Sequence, residues 1–360
     1  MIASLFSRAK QGLGVELTPE RVNIAQLQQL KSGIKMTSLS SVPMPEGAFH
    51  DGRIVDVMAI ADAIRQGLEE KKVKLKQAAS AVPIGEAVIR LIKLPAELDD
   101  FELRDMVLNQ EAALYLPFPR EEADVDYQKL GTTIDEDGIE RVEVLLVATP
   151  KEITESYINV FAQAGLQLNF LEVSSFALMR TIRNQLLQFA PGEAVAVVDI
   201  EYDGTEISIV MDGIPQFNRK VPIGTQQIQA AISRAMNLPT AMGVDLLSSM
   251  TVPVSPTDGG ASNPSAAAII RVLGDLADEI RRSVDFYLNQ GEDLEIAQVL
   301  LAGPGAGVGQ IDEFFTQRLN LTATLVDPVE NLGLQLPQDV SAEKRPGLGT
   351  VVGLGLRGAQ

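Results

Sequence analysis

The sequence is poorest in the side chains on which much enzyme chemistry depends. Its 360 residues include no cysteine, no tryptophan and one histidine, His50. The absence of cysteine excludes disulfide bonds, thiolate nucleophiles and sulfur-ligated metals. A single histidine excludes His-rich zinc sites and nearly every Ser-His-Asp arrangement. Two large families of catalytic mechanism are therefore excluded.

Basic side chains and long apolar runs are also scarce. The chain carries 48 acidic and 30 basic residues, which give a formal net charge of −18 at pH 7. Such a charge repels nucleic-acid phosphates and anionic lipids. No apolar stretch approaches the ~18 to 20 residues that span a bilayer, and the first residues lack the apolar region of a secretory signal. We therefore expect a cytoplasmic protein with no transmembrane span and no nucleic-acid partner.

The length and the first residues give the next predictions. A chain of 360 residues is long enough for two or three domains of ordinary size. Ile2, Leu5, Phe6 and Ala9 have the spacing of a short amphipathic helix. Residues 1–12 are therefore predicted to form an N-terminal amphipathic segment, which either docks locally or contacts a partner or a membrane.

Two segments of the chain share one pattern of strands and turns. The first begins at residue 14 and closes on Val42-Pro43, and the second begins at residue 193 and closes on Val221-Pro222. Each places an acidic residue near the end of its first strand, Glu16 in one and Asp199 in the other. The repeat predicts an internal duplication, although any two antiparallel meanders would share part of this pattern.

An insert is predicted within the first half. Asp99 and Glu102 form an acidic capping box, so a helix is expected to begin there and to end at Leu116, before a Pro-Phe-Pro sequence. Two strands follow, and Thr149 is the expected N-cap of a second helix, which ends at Gly165. Three further elements are predicted around the insert: a helix over residues 56–72, a strand-like stretch over residues 78–94 and a helix over residues 174–189.

The second half is predicted to contain two helices, a loop and a tightly packed tail. Residues 225–236 and 265–288 have helical periodicity, and the second of these has a long apolar face. Residues 250–265 are rich in Pro, Ser, Gly and Asp, which predicts a mobile loop. A buried strand over residues 298–302 leads into a Gly-rich turn, and the Gly-rich, apolar residues 347–358 suit a helix packed against another backbone.

The sequence excludes two common phosphate-binding motifs. No Gly-Lys-Ser or Gly-Lys-Thr sequence occurs, which excludes a P-loop. Residues 353–358 match GxGxxG, but too few residues follow them for the helix of a dinucleotide site. The turn at Gly303 is better placed because it follows a buried strand; it is either a nucleotide contact or an ordinary strand-to-helix loop.

Glu16 and Asp199 are the candidate metal-binding residues. Carboxylates at strand ends can hold hydrated Mg²⁺ while the amides of neighbouring turns cradle a phosphate. Each acid is alternatively a solvated turn residue.

Five motifs together resemble one known family. They are Gly14-Val15-Glu16-Leu17, the sequence EAALYLPFP at 111–119, Val198-Asp199-Ile200, RSVDFY at 282–287 and GLGLRG at 353–358. With the duplication and the insert, they resemble the actin-like ATPase superfamily, its FtsA-like members and, within these, the PilM family of type IV pilus assembly proteins. The resemblance covers nearly the whole chain. It implies an α/β, actin-like (ribonuclease H-like) fold of two duplicated lobes with an FtsA-type inserted α/β subdomain in the first lobe.

The resemblance also implies a division of the chain. Its parts are an N-terminal amphipathic segment, 1–12; a first actin-like lobe, 13–96 and 170–191; an inserted, partner-binding α/β subdomain, 97–169; a second lobe, 192–224 and 294–360; and a nucleotide-capping subdomain of the second lobe, 225–293, with the mobile loop 250–265. A nucleotide is expected between the two lobes.

ATP or ADP with Mg²⁺ is the cofactor that the resemblance implies. Glu16 and Asp199 would organise Mg²⁺ through water, and Glu172 would position the attacking water unless it is a helix-start acid. The other implied nucleotide contacts are Leu17, Thr18, Asn23, Glu201, Gly204, Thr205, Gly224, Gly303, Pro304 and Gly305.

Four of these positions depart from the family's nucleotide pattern. Thr18 and Glu201 stand where glycines are common, Asn23 where a phosphate-contacting lysine is usual, and Pro304 lacks an amide donor. Loss of a charged phosphate partner costs about 1.5 to 3 kcal/mol. We therefore expect an adaptor with at most slow ATP hydrolysis. A working ATPase or small-molecule kinase of the superfamily, or an FtsA-like filament former, is the alternative.

The resemblance further implies a membrane-protein partner. It implies capture of the N-terminal cytoplasmic tail of the single-pass inner-membrane protein PilN in a groove of the insert, which links the membrane platform to the cytoplasmic pilus motor. The residues assigned to this contact are Tyr115, Leu116, Pro117, Phe118 and Pro119. The acidic field of the chain would steer a basic tail toward it. The pilus motor ATPase, platform proteins and a second copy of the chain are further implied partners, at a position peripheral to the inner membrane.

Overall fold

The structure, a computed structural model, describes residues 10–50, 52–135, 137–237, 247, 250–254, 264–291 and 294–359. Most of the predicted amphipathic segment, residues 1–9, lies outside the described residues. So do residues 255–263, the greater part of the predicted loop 250–265. None of the described helices is long and apolar enough to cross a membrane.

The described chain alternates strands and helices along its length. The strands are β1 (Gln11–Leu17), β2 (Arg21–Leu30), β3 (Gly33–Pro43), β4 (Phe49–His50), β5 (Arg53–Ile54), β6 (Gln77–Val82), β7 (Val88–Pro95), β8 (Ala123–Ile134), β9 (Glu140–Pro150), β10 (Gln167–Val173), β11 (Ala194–Ile200), β12 (Thr205–Met211), β13 (Ile214–Val221), β14 (Ile296–Ala302) and β15 (Ala323–Leu325). The α-helices are α1 (Val57–Glu70), α2 (Asp100–Asp105), α3 (Ala112–Tyr115), α4 (Lys151–Gln163), α5 (Ser174–Thr181), α6 (Arg183–Leu186), α7 (Thr225–Met236), α8 (Pro264–Leu288), α9 (Ile311–Leu319), α10 (Pro328–Asn331) and α11 (Gly349–Gly358).

The two five-stranded sheets have the same topology. One has the order β10-β6-β1-β2-β3 and the other the order β15-β14-β11-β12-β13. In each, the first strand pairs antiparallel with the second and parallel with a later strand. The central strands β1 and β11 are almost wholly buried. The apolar run over residues 194–200 predicts this for β11. The predicted duplication is therefore confirmed, and we refer to the two sheets with their covering helices as the first and second lobes.

The predicted strand over residues 78–94 is wrong as a single element. It divides into β6, in the first lobe, and β7, which pairs with β9 in a three-stranded sheet of order β7-β9-β8. Pro83 and a 3₁₀ turn, Ile84–Glu86, separate the two strands because a proline cannot donate to the ladder. The sheet of the insert thus includes β7, which precedes the predicted boundary at residue 97.

Helix α4 also lies differently from its predicted place in the insert. Its buried side chains, Tyr157 and Phe161 among them, join the apolar core of the first lobe rather than that of the insert. The division of the chain into lobes and insert stays a prediction, and these contacts favour an insert bounded by β7 and β9.

One helical segment of the insert confirms the predicted capping box. The side chain of Asp99 accepts hydrogen bonds from the amides of Phe101 and Glu102, and the Glu102 carboxylate accepts one from the Asp99 amide. The segment continues from α2 through a π-helical stretch, Met106–Glu111, into α3 and ends at Leu116. Its apolar face packs on β7 and β9 in a core separate from those of the two lobes.

Two predicted helix boundaries are corrected. Thr149 is not an N-cap: it pairs with Asp124 in the antiparallel ladder of β8 and β9, and its hydroxyl donates to the carbonyl oxygen of Glu86 at 2.8 Å. Pro150 takes the N-cap position of α4, with no side-chain hydrogen bond. The helix predicted over residues 174–189 divides into α5 and α6. The predicted end at Gly165 is confirmed by its left-handed φ of 76°.

Helix α11 confirms the prediction of a tightly packed Gly-rich tail. It lies across β1, and a β-carbon on Gly12 or Gly14 would overlap backbone atoms of the helix. A β-carbon on Gly353 would overlap the carbonyl of Ala177 in α5. Glycine is therefore required on both sides of this contact, because the backbones themselves touch.

Candidate functional site

A small cleft lies between the ends of the strands of the two lobes. Its lining residues are Glu16, Leu17, Thr18, Pro19, Ala81, Pro83, Ser174, Asp199, Glu201, Asp203, Glu206, Lys220 and Thr350. The cavity volume is about 50 Å³, whereas pockets for small molecules enclose roughly 300 to 1,000 Å³. Five sequence-predicted residues thus meet in a space that is narrow in this conformation: Glu16, Leu17, Thr18, Asp199 and Glu201.

Glu16 and Asp199 occupy equivalent places at the ends of β1 and β11. The amide of Asn23 donates to the Glu16 carboxylate at 2.9 Å. Burial raises the pKa of Glu16 to about 7, against the lowering effect of that hydrogen bond. Burial and the nearby Glu206 carboxyl raise the pKa of Asp199 well above its ordinary value. Both carboxyls therefore hold a proton more readily than exposed acids do.

Two further carboxyls join this cluster. Burial and the Asp199 charge raise the pKa of Glu201 well above its ordinary value. Glu206 on β12 is buried as well, and burial raises its pKa although several contacts oppose the shift. The ammonium of Lys220 lies 3.0 Å from a carboxylate oxygen of Asp203, so the basic side chain that lines the cleft is already paired.

Sequence reasoning missed Glu206 and Lys220. The only local signal for Glu206 is a charged residue inside the otherwise buried strand β12. Its partners come from the other lobe and therefore leave no local pattern.

The glycine turns lie beside these acids, as predicted. A β-carbon on Gly303, which has a φ of 80°, would lie 2.5 Å from a carboxylate oxygen of Asp199, and one on Gly305 would overlap the side chain of Ile200. Gly224 precedes α7 and lies against the carbonyl of Glu201 and the amide of Gly204.

Thr205 and Pro304, two further residues predicted to contact a nucleotide, make contacts within the protein. The buried hydroxyl of Thr205 donates to the carbonyl of Ile223 at 2.6 Å. Pro304 opens the 3₁₀ turn Pro304–Gly307, which packs against a second 3₁₀ segment, Ala342–Leu348.

The backbone amides of the predicted phosphate loops are used within the protein. The amide of Thr18 donates to the carbonyl of Arg21, that of Gly303 to the carbonyl of Pro346, and that of Gly224 to the side-chain oxygen of Gln227. Within the described parts of the chain, no three His, Asp or Glu side chains are arranged to hold a metal ion. Because the cleft is small, its loop amides are occupied and its lining is rich in carboxyls, its residues do not fit a nucleoside triphosphate in this conformation.

Glu172 is not brought to the cleft. Both its carboxylate oxygens accept hydrogen bonds from Arg180, at 2.6 and 2.7 Å, and Arg180 also donates to the carbonyl of Gly353. Such a bidentate pair holds the carboxylate in place and partly neutralises it. The contacts therefore favour a structural part for Glu172, in place of the predicted positioning of water.

Glu172 instead lines a much larger groove. The groove has a volume of about 980 Å³ and runs between the insert, the first lobe and a hairpin turn of the second lobe. Its apolar lining includes Val125, Tyr127, Leu145 and Val147 from the insert, Phe170, Leu171, Phe176 and Met179 from the first lobe, and Pro215 from the second lobe. Strands β8 and β10 end their respective sheets at this groove.

The predicted partner-binding segment lies outside the groove. Tyr115, Leu116 and the Pro-Phe-Pro sequence end the helical segment of the insert, where Tyr115 is 38% exposed and Phe118 is half-buried. None of the five residues lines the groove. Partner binding at Tyr115, Leu116, Pro117, Phe118 and Pro119 stays a prediction.

Comparison with known proteins identifies relatives of the whole chain. The family model described as "Type IV pilus assembly protein PilM" matches residues 14–245 and 268–359. The "PilM-PilN type IV pilus biogenesis complex" contains a chain that is 23% identical, with a TM-score of 0.80 over 97% of this chain and 98% of that chain.

Two further solved structures have the same fold at lower similarity. Ethanolamine utilization protein EutJ from Carboxydothermus hydrogenoformans is 16% identical, with a TM-score of 0.57 over 96% of this chain and 89% of that chain. MreB5 of Spiroplasma citri bound to ADP is 10% identical, with a TM-score of 0.53 over 90% of this chain and 94% of that chain. The fold is that of the actin-like ATPases, and the chain belongs to the family of type IV pilus assembly proteins PilM.

Proposed function

We propose that this protein is a cytoplasmic adaptor of type IV pilus assembly that binds the N-terminal tail of a PilN-type membrane protein in the groove. The observation that carries the proposal is the size and construction of the groove, which the insert builds together with both lobes. The cleft between the lobes is much smaller, with a volume of about 50 Å³.

The groove has the properties that an extended peptide requires. Strands β8 and β10 are the last strands of their sheets, and such edges present unpaired amide and carbonyl groups to an added strand. Leu145 and Val147 alternate with the buried Val144 and Leu146 along β9, so their half-buried side chains face the groove. Main-chain hydrogen bonds then supply affinity, and apolar pockets supply specificity.

Charge and family membership support the same partner. The net charge of −18 attracts a basic tail and raises the rate of encounter. A solved structure of the same fold is a PilM-PilN complex. Attachment through such a tail would hold the protein beside the inner membrane. Contacts with the pilus motor, with other platform proteins and with a second copy of the chain stay predictions of the family resemblance.

Nucleotide binding is a separate prediction. ATP or ADP with Mg²⁺ between the lobes would need a wider cleft and free loop amides, since neither is present in this conformation. The working ATPase or kinase and the filament former are the alternatives. Turnover of Mg²⁺-ATP would separate the first from the adaptor, and sedimentation of filaments would separate the second.

The experiment that tests the adaptor is binding of a synthetic PilN-type N-terminal tail, measured by isothermal titration calorimetry. Val147→Glu places a charge in the apolar lining of the groove and is expected to weaken binding at least tenfold, or about 1.4 kcal/mol. Ile134→Glu is the matched control, since Ile134 is an exposed apolar residue of the insert that does not line the groove.

A third variant tests the second candidate surface. Phe118→Ala is expected to leave tail binding unchanged if the groove is the site. If the tail does not bind, or if Phe118→Ala weakens binding while Val147→Glu does not, the groove is not the site.

A further inference from the structure

One buried carboxylate of the second lobe is bonded to two elements of the first lobe. Glu206 lies on β12 with 5% of its surface exposed. One carboxylate oxygen accepts a hydrogen bond from the amide of Ile84 at 3.0 Å, and the other accepts one from the hydroxyl of Ser174 at 2.9 Å. Ile84 follows β6 and Ser174 follows β10, so a single side chain joins the ends of two neighbouring strands of one sheet to the other sheet.

Both hydrogen bonds are at least partly buried in the protein. In the low dielectric constant of the interior these hydrogen bonds are stronger than in water, and loss of the Glu206 acceptor would leave both donors unpaired. Within the described part of the chain, the Ile84 amide and the Ser174 hydroxyl are the hydrogen-bond donors to Glu206. The geometry of Glu206 therefore depends on the first lobe remaining in place.

The turn that Glu206 holds leads directly into the insert. Residues Ile84–Glu86 connect β6 of the first lobe to β7 of the insert. On the return path, the hydroxyl of Thr149 at the end of β9 donates to the carbonyl of Glu86. The chain passes from the first lobe to the insert through the turn Ile84–Glu86, and it returns at Thr149, which is hydrogen-bonded to the same turn. Glu206 links this turn to the second lobe.

The groove has walls from all three parts. Val82, Ala87 and Thr149 line it near this turn, and Asp212 and Gly213 line it from the second lobe. A rotation of one lobe against the other therefore changes the separation of the groove's walls.

We propose that Glu206 is a latch between the lobes that sets the width of the groove, so that its release weakens binding of a peptide tail there. The second half of this inference rests on the proposed function; the first half, closure of the lobes by Glu206, does not. Ser174 and the Ile84 amide are the latch's partners, and the turn Ile84–Glu86 transmits its state to the insert.

The absence of cysteine allows a direct test. Spin labels on cysteines at Glu69 of α1 and Gln317 of α9, which are exposed on the first and second lobes, report the distance between the lobes in the full chain. The wild-type background is expected to give one narrow distance distribution. Glu206→Ala is expected to broaden it and to add longer distances, because both bonds to the first lobe are lost.

Three variants separate the latch from general damage to the protein. Glu206→Gln keeps an acceptor for Ile84 and can donate to Ser174, so it is expected to retain the narrow distribution. Glu279→Ala removes an ion pair with Arg219 inside the second lobe and is expected to change nothing. If Glu206→Ala does not fold, Ser174→Ala, which removes one donor, takes its place with the same expected broadening to a smaller extent.

The tail peptide supplies the second measurement. Release of the latch is expected to reduce tail affinity at least tenfold in Glu206→Ala and less than threefold in Glu206→Gln. Unchanged distances in folded Glu206→Ala overturn the latch. Broadened distances with unchanged affinity overturn its effect on the groove. If wild-type protein binds no tail, the proposed function fails, and the distances still decide whether Glu206 holds the lobes together.

Discussion

The two lobes differ at the positions where their first two strands pair. In the first lobe, Asn23 lies opposite Glu16, and in the second, Glu206 lies opposite Asp199. Asn23 donates to the acid of its own lobe. A carboxylate at the equivalent place has no hydrogen to donate, and it bonds to the other lobe instead. At this position an amide side chain, Asn23, makes a contact within its own lobe, and a carboxyl side chain, Glu206, makes a contact between the lobes.

The same two strands differ in how closely helices approach them. Gly12 and Gly14 of β1 touch the backbone of α11, whereas the residues in equivalent register on β11 are Val195 and Val197. Those valines are buried among side chains of α5 and α6. The same face of a duplicated sheet can therefore pack against a helix backbone or against helix side chains. Glycines on β1 allow the first kind of packing, and valines on β11 the second.

Replacing a glycine of β1 by valine, or a valine of β11 by glycine, is expected to have the largest effect on stability. Gly14→Val forces a side chain into the backbone of α11, which no rotamer relieves, and is expected to lower the free energy of unfolding by at least about 3 kcal/mol. Val197→Gly leaves a cavity and a weakened strand, at a cost of about 2 to 4 kcal/mol. Thermal unfolding followed by circular dichroism measures both.

A control distinguishes the contact from the general effect of valine in a strand. Gly131 lies in β8, and a β-carbon there would meet no atom within 4 Å. Gly131→Val is expected to change stability by less than about 0.5 kcal/mol. If Gly14→Val unfolds at the same temperature as Gly131→Val, the two backbones are not in contact.

The change from amide to acid gives the next largest effect. Asn23→Asp removes the donor to Glu16 and adds a like charge, which is expected to lower the free energy of unfolding at pH 8 by about 2 kcal/mol. Ser41→Ala is the control, because it removes the hydroxyl that donates to Asn23 but leaves the bond from Asn23 to Glu16 intact. An equal loss in both variants, measured by denaturant unfolding, would contradict this assignment.

The pH dependence of stability at Glu16 gives the smallest expected effect. The pKa of Glu16 is about 7 in the folded chain and 4.5 ordinarily, so the folded protein holds this proton more tightly than the unfolded chain does. The stability gained from protonation is present below about pH 4.5 and is lost as the pH rises through about 7. Glu16→Gln is therefore expected to unfold several degrees above wild type at pH 8, and at a similar temperature at pH 5.

The measurement uses a metal-free buffer with a chelator, because a bound cation would also stabilise the ionised form. Wild type and Glu16→Gln are compared at each pH. Loss of the Glu16 charge also lowers the pKa of Asp199 and of Glu201, which adds to the expected gain at pH 8. A constant difference between the two proteins from pH 5 to pH 8 would show that Glu16 titrates in its ordinary range.

Local patterns were sufficient to predict the first strands of the two repeats and several helices. The buried runs of β1 and β11, the capping box at Asp99 and the apolar face of α8 are each encoded within a few consecutive residues. Pairings between distant parts of the chain were not predictable in this way. The transfer of β7 to the insert, the bond from Thr149 to Glu86 and the contacts of Glu206 each depend on a partner more than thirty residues away.

The candidate site followed the same division. The placement of Asp199 beside Gly303 was predictable, because β11 and β14 are parallel neighbours that end at one edge of the same sheet. Glu16 lies on the other sheet, so its meeting with Asp199 followed from the family resemblance alone. The pairing of Glu172 with Arg180 was missed although the two residues lie only eight positions apart, on β10 and α5. The groove beside them was not predictable, since it requires the packing of three separate units.

The contact between β1 and α11 has a consequence for biosynthesis. Strand β1 is among the first parts of the described chain to leave the ribosome, and the helix that covers it is among the last. At roughly 5 to 20 residues per second, translation leaves one face of β1 uncovered for tens of seconds. The first lobe therefore completes its packing only after the second lobe has been synthesised, and a nascent chain is exposed to aggregation or chaperone binding at β1 until then.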